Sequence, residues 1–296
     1  MYYLGIDGGG TKTTAVVADK DGITVTEVSG GTINFRSVGL DNARANMSAI
    51  LDDIKAQTGI SHFRSVFVGM SALSGKATQK ELNDFCVGVF DADIINMDSD
   101  LYIALAACDT PRPLAAICGT GSMAAAIKNG EVVTKGGFGY ILGDEGSGFA
   151  IASEGLKAAV RAGEGITEKT VLTAYSLEYF GVDDIYKLIN VCYEPPLSRS
   201  RLASFAPFVT KAAEEGDGIS FDIIKKQAHE FALTVKALVK ELDHKPDIRL
   251  YGGVFEHSKL FTELFTDEMM SNCAGIGLMK KRPVDGAVKC AIEKDK

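Results

Sequence analysis

Two glycine-rich turns, each lying between two short apolar runs, constrain the fold of this chain most strongly. The first turn, Gly8-Gly9-Gly10-Thr11, lies between the apolar runs 2–6 and 15–18. The second turn, Gly119-Thr120-Gly121-Ser122, lies between the runs 114–118 and 122–127. An apolar run, a tight turn and a second apolar run predict a β-hairpin. The sequence therefore predicts that a strand–turn–strand unit is used twice, in two related halves.

The remaining periodicity predicts an α/β protein with two domains. Further short strands are predicted over 23–28, 65–68 and 94–97, and helices over 41–55 and 100–107. A proline-containing break at 109–113 precedes the second hairpin, 148–245 is largely helical, and 249–251 is the last predicted strand. We therefore expect an N-terminal domain of 1–108 and a C-terminal domain of 109–282 with a helical insertion. A C-terminal helix of about 283–296 could pack back on the first domain.

Composition and charge exclude several classes of function. The net charge of −8 and the absence of a Lys/Arg cluster argue against a nucleic-acid partner. Every apolar run meets a charge or a glycine within about ten residues, so no membrane span is expected. The first residues lack the features of a secretory signal, which predicts a cytoplasmic location. The six cysteines are scattered without metal-ligand spacing, so we expect reduced thiols.

The first glycine turn has the chemistry of a phosphate site. Backbone N–H groups of glycine are free of side chains and can surround phosphate oxygens. A P-loop is excluded because Thr11 rather than Lys follows Gly10, and a dinucleotide motif is excluded because Thr13 stands where glycine is needed. Asp7 directly precedes the turn, and a carboxylate beside phosphate indicates a cation, most naturally magnesium, between them. The alternative is an ordinary glycine hairpin with a solvated Asp7.

Three glycine turns together favour one nucleotide site. Gly252-Gly253-Val254 follows the last predicted strand and adds a third turn to the two above. Each of the later two turns alone is weak evidence, since such turns are common. Their joint order along the chain predicts one bound nucleotide.

The three turns resemble motifs of the superfamily that contains actin, the heat-shock ATPases and the sugar kinases. Residues 7–13 resemble its first phosphate motif, 119–122 its second, and Tyr251-Gly252-Gly253-Val254 its adenosine motif. Within 136–148, Gly143-Asp144-Glu145-Gly146-Ser147 resembles the G-D-E-G-S stretch of the N-acetylglucosamine kinase branch, grouped with the BadF/BadG-type ATPases. The resemblance covers essentially the whole chain. It implies two actin-like (ribonuclease H-like) domains with an ATP cleft between them.

The resemblance also implies roles for individual residues. Asp100, nineteen positions before Gly119, matches the catalytic aspartate, with Asp98 in reserve. Asp7 would hold Mg²⁺ through water. The ATP contacts implied are Gly9, Gly10, Thr11, Lys12, Thr13, Gly119, Thr120, Gly121, Ser122, Gly252 and Gly253. The sugar contacts implied are Asn34, Gly139 and Asp144.

Each assignment has a structural alternative. Asp100 could be an N-cap or first-turn residue of its helix. Lys12 could be a solvated strand residue, and Asn34 could be a loop residue in the left-handed conformation. Asp144 and Glu145 could cap the helix that starts near residue 148.

The predicted function is ATP-dependent phosphorylation of an amino sugar, most naturally N-acetylglucosamine or glucosamine at its 6-hydroxyl. Phe138 stands where some relatives have tryptophan, which leaves the preferred sugar open. One alternative is a kinase for the anomeric hydroxyl of N-acetylmuramic acid or N-acetylglucosamine; another is a regulatory ATPase without a sugar substrate. The cysteine clusters of the zinc-binding and iron–sulfur relatives are absent from the sequence, which disfavours those branches. A homodimer is the expected assembly.

Overall fold

The computed structural model describes residues 1–75, 78–194 and 198–296. It assigns strands and α-helices to these ranges, together with short 3-10 turns. The strands are β1 (Tyr2–Gly8), β2 (Lys12–Asp19), β3 (Thr24–Gly31), β4 (Phe63–Met70), β5 (Ala92–Ser99), β6 (Pro113–Cys118), β7 (Ser122–Lys128), β8 (Glu131–Gly136), β9 (Asp247–Tyr251) and β10 (Gly275–Leu278). The helices are α1 (Phe35–Val38), α2 (Leu40–Thr58), α3 (Gln79–Cys86), α4 (Asp100–Ala107), α5 (Gly148–Gly163), α6 (Leu172–Phe180), α7 (Leu188–Tyr193), α8 (Arg199–Ala203), α9 (Ala206–Glu214), α10 (Gly218–Val239), α11 (Gly253–His257), α12 (Lys259–Met269) and α13 (Pro283–Glu293).

The chain divides into two compact units. Unit 1 consists of Met1–Pro113 together with Met279–Lys296, and unit 2 consists of Leu114–Leu278. Each unit contains a mixed five-stranded sheet with helices. The predicted α/β class is therefore confirmed.

The two sheets have the same strand order. The first is β3-β2-β1-β4-β5, and the second, counted from its β8 edge, is β8-β7-β6-β9-β10. In each sheet the first three strands form an antiparallel meander, and the fourth and fifth strands pair in parallel. A glycine turn joins β1 to β2 in the first sheet, and another joins β6 to β7 in the second. Both predicted hairpins are therefore confirmed.

Glycines in the strands of unit 1 let helices approach the sheet closely. A Cβ on Gly30 of β3 would lie 2.7 Å from Ile50 of α2. A Cβ on Gly69 of β4 would overlap the side chain of Ile103 of α4. Ile50 and Ile103 are fully buried, and burial of such a side chain stabilises a protein by ~1.5–3 kcal/mol.

Helix α13 completes the core of unit 1, although it lies at the other end of the sequence. Val284 and Val288 are buried against Val16 and Ala18 of β2. Its opposite flank, with Ala287, Cys290 and Ala291, is buried with Tyr3, Phe67 and Ile103. One face of the middle strands β2, β1 and β4 is thus covered by a helix from the C-terminal 18 residues.

Aromatic side chains on α10 and α12 organise the core of unit 2. Phe231 of α10 is fully buried, and its ring centroid lies 5.4 Å from that of Phe265 of α12. Val235 and Leu238 continue the buried face of α10, as its helical periodicity predicts.

Two strands of unit 2 were not predicted. The expectation that 249–251 is the last strand is wrong, because β10 (Gly275–Leu278) follows and pairs in parallel with β9. Half of β10 is glycine, which has low strand propensity, so tertiary pairing rather than local sequence selects this strand. β8 (Glu131–Gly136) also went unpredicted.

In the described ranges no helix is long and apolar enough to cross a membrane.

Candidate active site

In unit 1 the first glycine turn joins β1 to β2, with Asp7 one residue before the end of β1. Asp7 is half-buried. Burial, and after it the negative charge of Asp100, raises the pKa of Asp7 to about 6, while the charge of Lys12 lowers it. Because the charge of Asp100 acts on Asp7, the structure brings the predicted metal residue and the predicted catalytic residue into one electrostatic environment.

The two candidate catalytic aspartates differ in their surroundings. Asp100 is the first residue of α4, whose N-cap is Ser99, so the N-cap alternative for Asp100 is wrong and a first-turn position is observed. The Asp98 carboxylate accepts a hydrogen bond from the Ser99 N–H at 2.6 Å. Its charge contributes, after burial and Cys290, to the raised pKa of Tyr102. The charge of Asp100 therefore acts on Asp7 at the first glycine turn, whereas the charge of Asp98 acts on Tyr102 of α4.

The residues of the first turn fall into an open group and a buried group. Gly10, Thr11 and Lys12 are exposed, and a Cβ on Gly10 would meet no atom within 4 Å. Thr13 is fully buried, and its hydroxyl accepts a hydrogen bond from the Ile33 N–H at 3.1 Å. The open residues can contact a ligand, whereas the hydroxyl of Thr13 holds the segment between β3 and α1 in place.

Asn34 lies close to the first turn through a chain of hydrogen bonds. Its Nδ2 donates to Ser71 Oγ at 2.9 Å, and Ser71 Oγ donates to the Gly8 carbonyl at 3.3 Å. Its Oδ1 accepts from the Arg36 N–H as the N-cap of α1. The backbone of Asn34 is extended, with φ −68°, so the left-handed alternative is wrong.

In unit 2 the second glycine turn is fixed by hydrogen bonds from its surroundings. The Gly148 N–H donates to the Gly119 carbonyl at 2.8 Å, and the Phe149 N–H donates to the Thr120 carbonyl at 3.4 Å. Ser122 Oγ donates to the Glu145 carbonyl at 2.7 Å. The start of α5 therefore holds this turn in a defined conformation.

The third glycine turn packs directly against the second. Gly252 has φ +108°, and a Cβ there would lie 2.6 Å from the Cys118 carbonyl oxygen. Only glycine combines this φ with such a close approach. The second and third turns, predicted as separate motifs, are thus in contact within unit 2.

A cavity of about 370 Å³ lies beside these two turns, entirely within unit 2. This volume is within the range of small-ligand pockets. The second and third turns and the start of α5 form part of its wall, and α8, α9 and α11 form the rest. Its lining consists of Gly119, Thr120, Gly148, Ile151, Ser200, Ala203, Ser204, Ala206, Pro207, Thr210, Gly253, Val254, His257 and Ser258.

Sequence reasoning missed several of these positions. His257, to which sequence reasoning assigned no role, lines the cavity one helical turn after Gly253, and this spacing could have indicated it. Ser71, which sequence reasoning left unassigned, bridges Asn34 and the first turn. Arg199 lies in no sequence motif, and only its ion pair with Asp144 identifies it as part of the candidate site.

The segment 136–148, which contains the G-D-E-G-S stretch, has an exposed loop followed by a buried acid. Gly139 has φ +81° in a loop whose neighbours Phe138 and Ile141 are 73% and 78% exposed. Asp144, by contrast, is 3% exposed, forms an ion pair with Arg199, and accepts a hydrogen bond from the Ser122 N–H at 3.3 Å. The N-cap of α5 is Ser147, so the cap alternative for Asp144 and Glu145 is wrong.

The residues present fit magnesium and ATP. Asp7 and Asp100 are both half-buried, and the negative charge of Asp100 acts on Asp7. A divalent cation would reduce the repulsion between the two carboxylates. No cluster of three His, Cys, Asp or Glu side chains forms a complete metal site among the described residues. Magnesium commonly binds through one or two carboxylates together with substrate phosphates and water, which this arrangement suits.

Two curated proteins are similar to this chain over nearly its whole length. The chain is 28% identical to an N-acetylmuramic acid/N-acetylglucosamine kinase of Clostridium acetobutylicum, over 97% of both chains. It is 26% identical to an N-acetyl-D-glucosamine kinase of Dictyostelium discoideum, over 99% of this chain and 98% of the relative.

Solved structures show the fold. A proposed N-acetylglucosamine kinase of Chromobacterium violaceum superposes with a TM-score of 0.77 at 21% identity, over 97% of this chain and 98% of the other. A ROK family glucokinase of Streptomyces griseus, solved with glucose and AMPPNP, gives 0.57 at 16% identity, over 99% and 100%. The predicted actin-like fold class is thereby confirmed. Residues 4–288 match the model of the BadF/BadG/BcrA/BcrD ATPase family, and the chain belongs to that family.

Proposed function

We propose that this chain is an ATP-dependent kinase that phosphorylates an amino sugar, N-acetylglucosamine in the first place and glucosamine in the second, at the 6-hydroxyl. The observation that carries the proposal is the position of Asp7, at the end of β1, and Asp100, directly after β5, at the same edge of the first sheet. The charge of Asp100 also acts on Asp7 there. A kinase needs a carboxylate near the phosphates that can accept the proton of the attacking hydroxyl. The curated relatives named above act on amino sugars, which supports this class of acceptor.

Membership of an ATPase family implies ATP binding, and the cavity of unit 2 is the proposed adenosine site. Bound ATP would supply the γ-phosphoryl group, and Mg²⁺ held there would neutralise phosphate charge. Asp7 is the proposed magnesium residue. Backbone N–H groups of the two phosphate turns, with Thr11 and Lys12, are the proposed phosphate contacts.

Asp100 is the proposed proton acceptor. Its position in the first turn of α4 favours the charged carboxylate, because the helix dipole places partial positive charge there. The charged form is the one that can accept a proton from the sugar hydroxyl. Positioning of this hydroxyl would supply most of the remaining rate enhancement.

Asn34 and Gly139 are the proposed sugar contacts. The amide of Asn34 keeps one N–H and one lone pair beyond the hydrogen bonds described above, and an amide with both functions can select sugar hydroxyls by stereochemistry. Gly139 offers backbone groups in an open loop. The sugar role of Asp144 stays a prediction, which the experiment of the next subsection separates from a second role.

The test is ADP release with ATP and Mg²⁺ across N-acetylglucosamine, glucosamine, N-acetylmuramic acid, N-acetylmannosamine and glucose. We expect N-acetylglucosamine to give the largest kcat/KM and Asp100→Asn to lower kcat by about 10²–10⁴-fold. Asp98→Asn is the matched control, since Asp98 lies two residues away and acts on α4. Equal losses in both variants would contradict the assignment of Asp100.

Phosphorus–proton correlation NMR of the product separates the 6-phosphate from an anomeric phosphate. Slow ATP hydrolysis that no sugar accelerates would instead favour the regulatory ATPase. The homodimer implied by the family resemblance stays a prediction, and sedimentation velocity tests it.

A further inference from the structure

The carboxylate of Asp144 is held between the second glycine turn and helix α8. Its Oδ1 accepts a hydrogen bond from the Ser122 N–H at 3.3 Å, and its Oδ2 accepts one from Arg199 Nη2. The residue is 3% exposed and has φ +64°, an uncommon conformation for a residue other than glycine. A buried charge in such a backbone conformation is retained only where surrounding contacts specify it.

Arg199 is the first residue of α8, a helix of five residues. Its guanidinium lies 5.8 Å from the centroid of the Tyr140 ring and pairs with Asp144. Its Nε is buried and has no hydrogen-bond partner in the described part of the chain. The ion pair with Asp144 therefore fixes the position of this guanidinium.

The ion pair connects two walls of the cavity in unit 2. Gly119 and Thr120 of the second turn line one side, and Ser200, Ala203 and Ser204, in and just after α8, line another. A Cβ on Gly121 would overlap Arg199 Nη2 and lie 2.9 Å from Asp144 Oδ2. The turn, the carboxylate and the guanidinium thus form one packed contact.

We propose that Asp144 and Arg199 are positioning residues that fix the second glycine turn against α8 and thereby set the affinity for the nucleotide. This inference rests on the proposed function, in which the cavity takes adenosine and the turn takes phosphate. It assigns Arg199 a role that no motif indicated. It gives Asp144 a role in nucleotide binding.

The experiment measures the Kd of ADP by calorimetry for the full-length protein and for Arg199→Ala, Arg199→Lys, Asp144→Asn and the Arg199→Ala/Asp144→Asn double variant. Asn tolerates positive φ and keeps the shape of Asp, so Asp144→Asn removes the charge without backbone strain. Arg201→Ala is the control, because Arg201 belongs to the same helix and lies over Tyr179 instead, at 4.7 Å. The KM of N-acetylglucosamine is measured in parallel.

We expect Arg199→Ala and Asp144→Asn each to raise the Kd of ADP about tenfold, which is about 1.4 kcal/mol. The double variant should bind no more weakly than the worse single variant, because the two residues act as one pair. Arg199→Lys should recover part of the affinity, and Arg201→Ala should match the parent protein. The KM of N-acetylglucosamine should be unchanged in Arg199→Ala, which a general loss of folding would not produce.

An unchanged Kd of ADP in Arg199→Ala would overturn the inference. A raised sugar KM in Asp144→Asn with an unchanged Kd of ADP would also overturn it and support the sugar role. If Arg199→Ala does not fold, Arg199→Lys and Asp144→Asn decide by the same criteria. A parent protein that does not bind ADP would overturn the proposed function first, which distinguishes the two failures.

Discussion

Asp7 and Asp100 carry like charges in one half-buried environment at the end of β1. Burial contributes most to the raised pKa of Asp7, about 6, and the charge of Asp100 contributes next. Two carboxylates that repel each other without a cation destabilise the folded state of the free protein. This relationship links the proposed chemistry to the stability of unit 1.

Asp7→Asn should stabilise the free protein at pH 7.5 by ~1–2 kcal/mol while lowering kinase activity. The folded-state pKa of Asp7 lies above its ordinary value of 3.8, so folding is favoured most when the group is protonated. The parent protein therefore loses this stability as the pH rises from about 4 through about 6. Urea unfolding of parent and variant at pH 4 and pH 7.5 measures the difference, which should nearly vanish at pH 4.

The control for this prediction is Asp52→Asn, an exposed carboxylate of α2. Its substitution should leave the stability within about 0.5 kcal/mol at both pH values. Destabilisation by Asp7→Asn at pH 7.5 would contradict the cost of burying the Asp7 carboxylate beside the charge of Asp100.

Gly252→Ala should be strongly destabilising and Gly253→Ala should not. At position 252 the added Cβ would meet the Cys118 carbonyl at 2.6 Å in a backbone with φ +108°. At position 253 the nearest atom would be His257 Cδ2 at 3.7 Å, an ordinary contact. We expect a loss of at least about 2 kcal/mol for Gly252→Ala and less than about 1 kcal/mol for Gly253→Ala by urea unfolding. Equal stability of the two variants would refute the close contact between the second and third turns.

Gly286→Ala should destabilise unit 1 although alanine is the better helix former. The added Cβ would overlap the Ile103 carbonyl and lie 2.8 Å from the Ala107 N atom. We expect a loss of ~1–3 kcal/mol, because overpacking outweighs the ~1 kcal/mol gain in helix propensity. Gly218→Ala, at the start of α10 with no atom within 4 Å of the new Cβ, is the matched control. A stabilised Gly286→Ala variant in thermal unfolding would contradict the packing of α13 on α4.

The local parts of the fold were predictable and the pairings between distant segments were not. Hairpins and helix α4 follow from turn residues and apolar periodicity, which act over a few residues. Arg199 is 55 positions from Asp144, and Ser71 is 37 positions from Asn34. Neither pair has a local pattern, because the contact depends on how separate elements pack.

The same distinction explains the outcome for the candidate site. Glycine turns after strands indicated where phosphate could bind, since the requirement is a local backbone one. Whether a side chain of the motif is open or buried depends on its tertiary neighbours, as Thr13 and Asp144 illustrate. Both lie in motifs predicted to contact ligands, and both have their polar groups engaged inside their own units.

Substitutions of Asn34 should separate its structural role from its proposed sugar contact. Asn34→Asp keeps an oxygen that can accept from the Arg36 N–H, and Asp is as good an N-cap as Asn. It removes the Nδ2 group that donates to Ser71. Asn34→Ala removes both functions and should lower stability by about 1 kcal/mol, whereas Asn34→Asp should keep the stability of the parent protein.

Both variants should raise the KM of N-acetylglucosamine by about tenfold or more, because a site built around an amide rejects a ligand when that amide is lost. Steady-state kinetics and thermal unfolding measure the two effects, and the KM of ATP should stay unchanged. A normal sugar KM in Asn34→Asp would reduce Asn34 to a helix cap.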